Sequence, residues 1–300
     1  MYAKTISASL YYLLFALTLH ICCHAPSEET ADLFTSKDFT AENLFSNNIE
    51  GPAFDKKGHL YVVNFRHDGT LGKVNADGKA ELFLTLPRGS TANSIQFDSR
   101  GTMYLADYTG HNILAVDMTT NAVAAFVHSD AFHQPNDLCI NRRDQLFASD
   151  PDWKESTGQI WRIDPDSNLV LLQDSMGTTN GIELSPDERI LYVNESVQRR
   201  IWAFDVDTDG NISHKRLFAQ FPDYGLDGMK CDKAGNLYVT RYDKGTVAIL
   251  SPDGSQLREV SLRGKKCSNL VFGGSDGRTV YVTMQDRKGI EMFRTDIPGK

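Results

Sequence analysis

Six polar residues recur at one point of a repeated phrase along this 300-residue chain. They are Glu50, Asn93, Asn136, Asn180, Asp227 and Ser268, at steps of 43, 43, 44, 47 and 41 residues. All six carry oxygen donors, and two are carboxylates. Turn chemistry accounts for Asn, Asp or Ser at a strand entry, but not for Glu50. Nor does it account for two acids in register, which repel one another unless a cation sits between them. Two carboxylates with neutral amide oxygens suit one hard divalent cation, Ca2+ first, with Mg2+, Mn2+ or Zn2+ as alternatives. Such a cation polarises a carbonyl and can hold a water ready to attack it.

The phrase that carries these residues reads polar–small–apolar–x–apolar–(D/N/S/G), followed by a turn and a short apolar run. EGPAFD from Glu50 leads to LYVVN, and NSIQFD from Asn93 leads to MYLAD. NDLCIN from Asn136, NGIELS from Asn180, DGMKCD from Asp227 and SNLVFG from Ser268 follow the same plan. Further apolar pairs come after each phrase, bounded by Asp, Asn, Gly and Pro, which is strand-and-turn chemistry. A fixed period of this size with four strands per unit is the signature of a β-propeller. The expectation is an all-β, six-bladed propeller of four-stranded antiparallel blades, in which rotation gathers the six leading residues at the axis. The sixth repeat stops after three strands, so a strand at about 39–45 (FTAENLF) is expected to complete it and close the ring.

Several phrases together resemble one family. IEGPAF, QPNDL followed by SDP, TNGIELSPDERILYVNES, LDGMKCDKAGNLYVT and CSNLVFGGSDGRTVYVT are similar to those of the regucalcin (senescence marker protein)/gluconolactonase/luciferin-regenerating enzyme family. The resemblance runs over roughly residues 45 to 300. It implies a six-bladed propeller with one catalytic divalent metal, whose ligands fall on Glu50, Asn136, Asn180 and Asp227. It also implies a hydrolase acting on the carboxylic ester bond of a lactone, sugar lactones first. Asp227 would be the base that accepts a proton from attacking water. In phosphotriester-cleaving relatives the same residue is the nucleophile. Asn93 and Ser268 become residues of the pocket or of the layer behind the ligands. The family's usual Thr-Asn is here Ser268-Asn269, and both side chains stand as candidates for the channel. The alternatives are a phosphotriesterase-like hydrolase on the same metal site and a non-catalytic binding propeller.

Specificity should come from the mouth of the channel. The second strand of each blade ends beside the start of the first, which brings Asn64, Asp107, Asp150, Glu195 and Arg241 there. The following loops add Arg66, His67, Tyr108, His111, Trp153, Lys154, Tyr242 and Arg287. Substrate contacts are expected from Asn93, Asp150, Arg66, Tyr108, Trp153, Arg241, Ser268 and Asn269.

The net charge of −8 argues against nucleic acid and anionic membrane surfaces as partners. Residues 1–26 read as an export signal: Lys4, then the apolar run ISASLYYLLFALTLHICC. Cys22 and Cys23 at its end suggest a lipid anchor, so a periplasmic or extracellular site is expected. Residues 27–38 read as a linker and 39–300 as the propeller. Cys139, Cys231 and Cys267 read as buried apolar residues. DVDTDGNISHKR from Asp205 mimics a calcium loop but has Arg216 where a bidentate Glu is required, so it reads as a turn. NES at Asn194 and NIS at Asn211 match the glycosylation sequon.

Overall fold

Four of the six phrases fold as expected because the side chain of their last residue caps a turn. Asp55 Oδ1 accepts from the amides of Lys57 and His59, both at 2.9 Å. Asp98, Asn141 and Asp232 repeat this arrangement. These side chains mimic a backbone turn and fold the chain back into the next strand. In this computed structural model, which describes residues 1–2 and 33–300, every described strand belongs to one of six antiparallel four-stranded sheets. Blade one is Phe45–Phe54, Leu60–Phe65, Thr70–Val74 and Ala80–Thr85. The innermost strands of the other blades are Ala92–Phe97, Leu138–Ile140, Thr179–Leu184, Gly225–Cys231 and Cys267–Gly273. Each innermost strand packs on the next, and the sixth packs on the first, so the ring is closed. The protein is a six-bladed β-propeller.

The core lies between blades. Among the described residues six apolar clusters occur, one at each blade interface. Val63 and Leu71 of blade one meet Ile95 and Leu105 of blade two, for example. The second strand of blade one is buried at every position because both of its faces meet a neighbour. Cys139, Cys231 and Cys267 are free thiols in these clusters.

The closing strand differs from its expected position. The regular ladder is Lys37–Asp38, paired with Met292 and Glu291 of the third strand of blade six (Gly289–Arg294). The segment assigned from sequence to closure, about 39–45, continues the contact without regular pairing. The amides of Phe39 and Thr40 donate to Ile290 O, and those of Leu44 and Phe45 donate to Lys288 O. Phe45 itself opens the innermost strand of blade one. Residues 33–38 are thus part of the seam rather than a linker. The apolar residues of FTAENLF pack at the seam, whereas the regular ladder forms two residues earlier, among ion pairs. Arg287 meets Asp38 at 2.5 Å and both Glu42 and Glu291 at 2.7 Å, and Arg263 meets Asp38 at 2.6 Å. The expected export signal and the first part of the expected linker lie outside the described residues.

Candidate active site

Irregularity in the innermost strands creates the site. In the blades led by Glu50, Asn93, Asn180, Asp227 and Ser268 the pairing with the second strand shifts register at the leading residue. In blade three, Asn136 precedes the regular strand altogether. A bulge of this kind re-aims a side chain out of the ladder. Where the residue that follows is glycine, there is no room for a side chain. Gly51 sits at φ 52°, and a Cβ there would lie 2.7 Å from Ser94 Cα. A Cβ on Gly181 would lie 2.3 Å from the carbonyl oxygen of Asp227, so neighbouring blades close in here.

These shifts bring Glu50, Asn93, Asn136, Asn180 and Asp227 to one cavity of 360 Å3 over the axis. Tyr108, Gln134, Trp153, Ser196, Tyr242 and Gln285 complete its walls. Glu50, Asn136, Asn180 and Asp227 are all buried. Burial pushes the Glu50 carboxyl up to about 8, and the Asp137 carboxylate adds to the rise. Burial likewise holds Asp227 well above the ordinary aspartate range, with Glu50 and Asp137 contributing repulsion. Asn136 Oδ1 is buried with no hydrogen-bond partner, an unsatisfied acceptor of the kind that folded proteins rarely leave. Two desolvated acids and one orphan amide oxygen form an oxygen donor set that fits a hard divalent cation. Among the described residues no three His, Cys, Asp or Glu side chains gather as a metal-binding group, so amide oxygens must take part in any such site.

A pH dependence follows. Protons on Glu50 and Asp227 must leave before a cation can enter between them. Cation affinity should therefore rise with pH up to about 8, with proton release on binding below that value. Titration calorimetry in buffers of different ionisation enthalpy reads both, and an affinity flat across this window would contradict the donor set. The fold responds in the opposite sense without a cation. Glu50 is raised above its unfolded value, so its contribution to stability is complete below about pH 4.5 and is lost as pH rises through about 8.

A family profile described as SMP-30/Gluconolactonase/LRE-like region matches residues 49–286. The chain belongs to this family. A gluconolactonase from Zymomonas mobilis is 28% identical over 270 residues, covering 78% of this chain and 75% of that protein. The solved gluconolactonase of Xanthomonas campestris superimposes with a TM-score of 0.75 at 22% identity, over 91% of this chain and 93% of that one. A calcium-binding protein, regucalcin, from Agrobacterium tumefaciens gives a TM-score of 0.76 at 19% identity, over 90% of this chain and 95% of that one. At these identities the two structures speak for the fold alone.

Around this SMP-30-type cavity the mouth residues divide. Asn93, Tyr108 and Trp153 line it, as does Tyr242. Asp150 and Arg241 do not, contrary to expectation. Asp150 accepts from the amides of His133 and Gln134 and from Trp161 Nε1 at 3.0 Å or less. Arg241 donates to the carbonyl and carboxylate of Asp223, and its guanidinium lies 3.8 Å from the Phe221 ring centroid. Asp107 and Glu195 accept from the amides of Thr91 and Gly177 just ahead of the innermost strands of their blades, and Asn64 donates to Asn48 O within the innermost strand of blade one. These second-strand ends are brackets for the loops that enter the site. Arg66 lies outside the lining, stacked 5.1 Å from the Phe65 ring centroid. Ser268 and Asn269 stand behind Glu50 and oppose its raised pKa. Ser268 Oγ donates to Ile49 O at 2.8 Å, and Asn269 Oδ1 accepts from Leu270 N at 2.8 Å.

Gln134, Ser196 and Gln285 line the cavity without having been singled out from sequence. Gln134 was legible in the QPND phrase, whereas Ser196 and Gln285 carry no local signal. Asp137, directly after Asn136, is a third buried acid. Its Oδ1 accepts from Ser94 Oγ at 2.8 Å and from Leu138 N at 2.9 Å. Asn194 is fully buried and donates to Asp227 O at 2.5 Å, so its sequon is a structural accident.

Proposed function

We propose that this chain is a lactonase-type hydrolase that opens sugar lactones at the axial cavity, with one divalent cation, Ca2+ first, held by Glu50, Asn136, Asn180 and Asp227. The observation that carries this reading is the pairing of two desolvated carboxylates with an orphan amide oxygen at the cavity floor. The gluconolactonase among its relatives supports the reaction class. The regucalcin neighbour, described as calcium-binding, supports the choice of ion.

When bound, the cation would polarise the lactone carbonyl and stabilise the negative charge that grows on its oxygen. The chain's own residues do the rest. The amides of Asn93, Gln134 and Gln285 and the hydroxyls of Ser196, Tyr108 and Tyr242 offer hydrogen bonds to the hydroxyls of a sugar ring. Tyr242 Oη donates to Gln285 Oε1 at 2.9 Å, which fixes both side chains on one wall. Asp227 takes a proton from water as the water oxygen adds to the carbonyl carbon. The ring C–O bond then breaks, and the same carboxyl returns the proton to the leaving ring oxygen. Lactone plus water thus becomes a hydroxy acid. As a ligand to the cation Asp227 would be a weak base, which suits an activated ester such as a lactone better than an amide.

The decisive assay is a pH-stat measurement on D-glucono-1,5-lactone. EDTA should abolish the enzymatic rate, and added Ca2+ should restore it. A rate indifferent to EDTA would remove the cation from the reaction. No rate on any lactone would leave a binding propeller.

A further inference from the structure

The axial cavity continues outward into a second hollow between blades two and three. The two share Tyr108, Gln134 and Trp153 as lining, and the outer hollow measures 610 Å3 against 360 Å3 for the inner. Binding clefts of roughly 300–1,000 Å3 are usual for small ligands, so the inner cavity suits one small ring and the pair together suits something larger. The outer hollow is built, not incidental. His111 Nδ1 donates to Phe132 O at 2.7 Å and so ties the blade-two loop to the blade-three loop. Asp150 holds the amides of His133 and Gln134 from below. Phe132 packs edge-on against Trp161 with centroids 5.3 Å apart.

Two features describe the occupant. Trp153 stands at the junction of the hollows with 43% of its surface exposed, and Tyr108 stands beside it in both linings. Aromatic faces flanked by amides and hydroxyls suit a sugar, which presents an apolar ring face and a polar rim. Charge supplies the second feature. Neither lining contains an arginine, and the one lysine, Lys154 of the outer hollow, has an 89% exposed side chain 3.4 Å from Glu155. A phosphate or sulfonate in the outer hollow would meet the Asp152 carboxylate and two histidine rings, one already bonded to Phe132 O, with no arginine or buried lysine to pair with.

We propose that the outer hollow is a second sugar subsite, and that the substrate is the lactone of a neutral disaccharide. Its lactone ring occupies the axial cavity and its glycosyl unit lies in the hollow beside Tyr108 and Trp153. This assignment rests on the lactonase reading above.

Initial rates of D-glucono-1,5-lactone, cellobionolactone and 6-phosphoglucono-1,5-lactone, each corrected for spontaneous opening, test it on the full chain with Ca2+ present. The disaccharide lactone should exceed gluconolactone in kcat/KM by about 10-fold, mainly through KM. Thr109 lines only the outer hollow and is exposed. Thr109→Trp should therefore remove that advantage and leave gluconolactone turnover in place, which also reports that the variant is folded. The subsite is overturned if gluconolactone is opened as well as cellobionolactone, if the phosphorylated lactone is preferred, or if Thr109→Trp slows both sugars alike. If Thr109→Trp does not fold, Thr109→Tyr is read in the same way. Failure of all three lactones overturns the lactonase reading itself and the subsite with it.

Discussion

Replacing Asp227 by asparagine is expected to lower kcat for lactone opening by about 10^3-fold, within the usual range for loss of a general base. The amide keeps the oxygen that faces the cavity but has no basicity at any working pH. Packing should survive, because the backbone of Asp227 is fixed independently by Asn194 through its carbonyl oxygen. Stopped-flow or pH-stat kinetics on the variant, with cation binding measured in parallel, separates the roles. Parent-like turnover in Asp227→Asn would remove this residue as the base. Lost turnover together with lost cation binding would make it a ligand first.

Glu50→Gln is the second large effect, and it should fall on affinity. Glu50 supplies one of the two formal charges in the proposed donor set, in a buried site where a charge counts for more than in water. Cation affinity near pH 8 should drop about 100-fold, equivalent to about 2.8 kcal/mol. The cation-free protein should move the other way. The parent loses stability as Glu50 is forced to ionise through about 8, and the glutamine variant has nothing to ionise. Its melting temperature in EDTA at about pH 9 should exceed that of the parent, while the two should agree below about pH 5. Unchanged calcium titration in Glu50→Gln would take this side chain out of the ligand set.

The axis was legible in the sequence because a repeat of fixed length puts the same point of every innermost strand in the same place. That geometry needs no contact information, so Glu50, Asn93, Asn136, Asn180 and Asp227 could be read as one group, and the structure gathers them. The mouth was less legible. Asp150, Glu195 and Arg241 lie near the entrance in sequence register, but polarity alone does not reveal that loop amides and carbonyls consume it. Buried backbone groups must be satisfied somewhere, and in this ring the second-strand ends satisfy them. Asp137 was overlooked for a related reason. It follows Asn136 in the same phrase, and its place just ahead of the regular strand makes an apparent strand residue a third buried acid close to Asp227. The seam shows the limit of apolar patterning. Phe39 does pack edge-on against Tyr281 at 4.8 Å, yet the ladder forms two residues earlier, where Asp38 meets Arg263 and Arg287.

Below the acidic floor the axis holds a different group of charges. Glu183 is buried against Lys230 at 3.2 Å and against Lys300, whose Nζ also donates to Leu184 O. Burial works against both charges, but each is held by the other: Glu183 stays below its usual range and Lys230 above its own. The cavity of 240 Å3 around them shares no lining residue with the one above. The ring is thus a cup and not a pipe. The acid made in each cycle must depart by the doorway through which the next molecule arrives, so arrival and departure exclude one another.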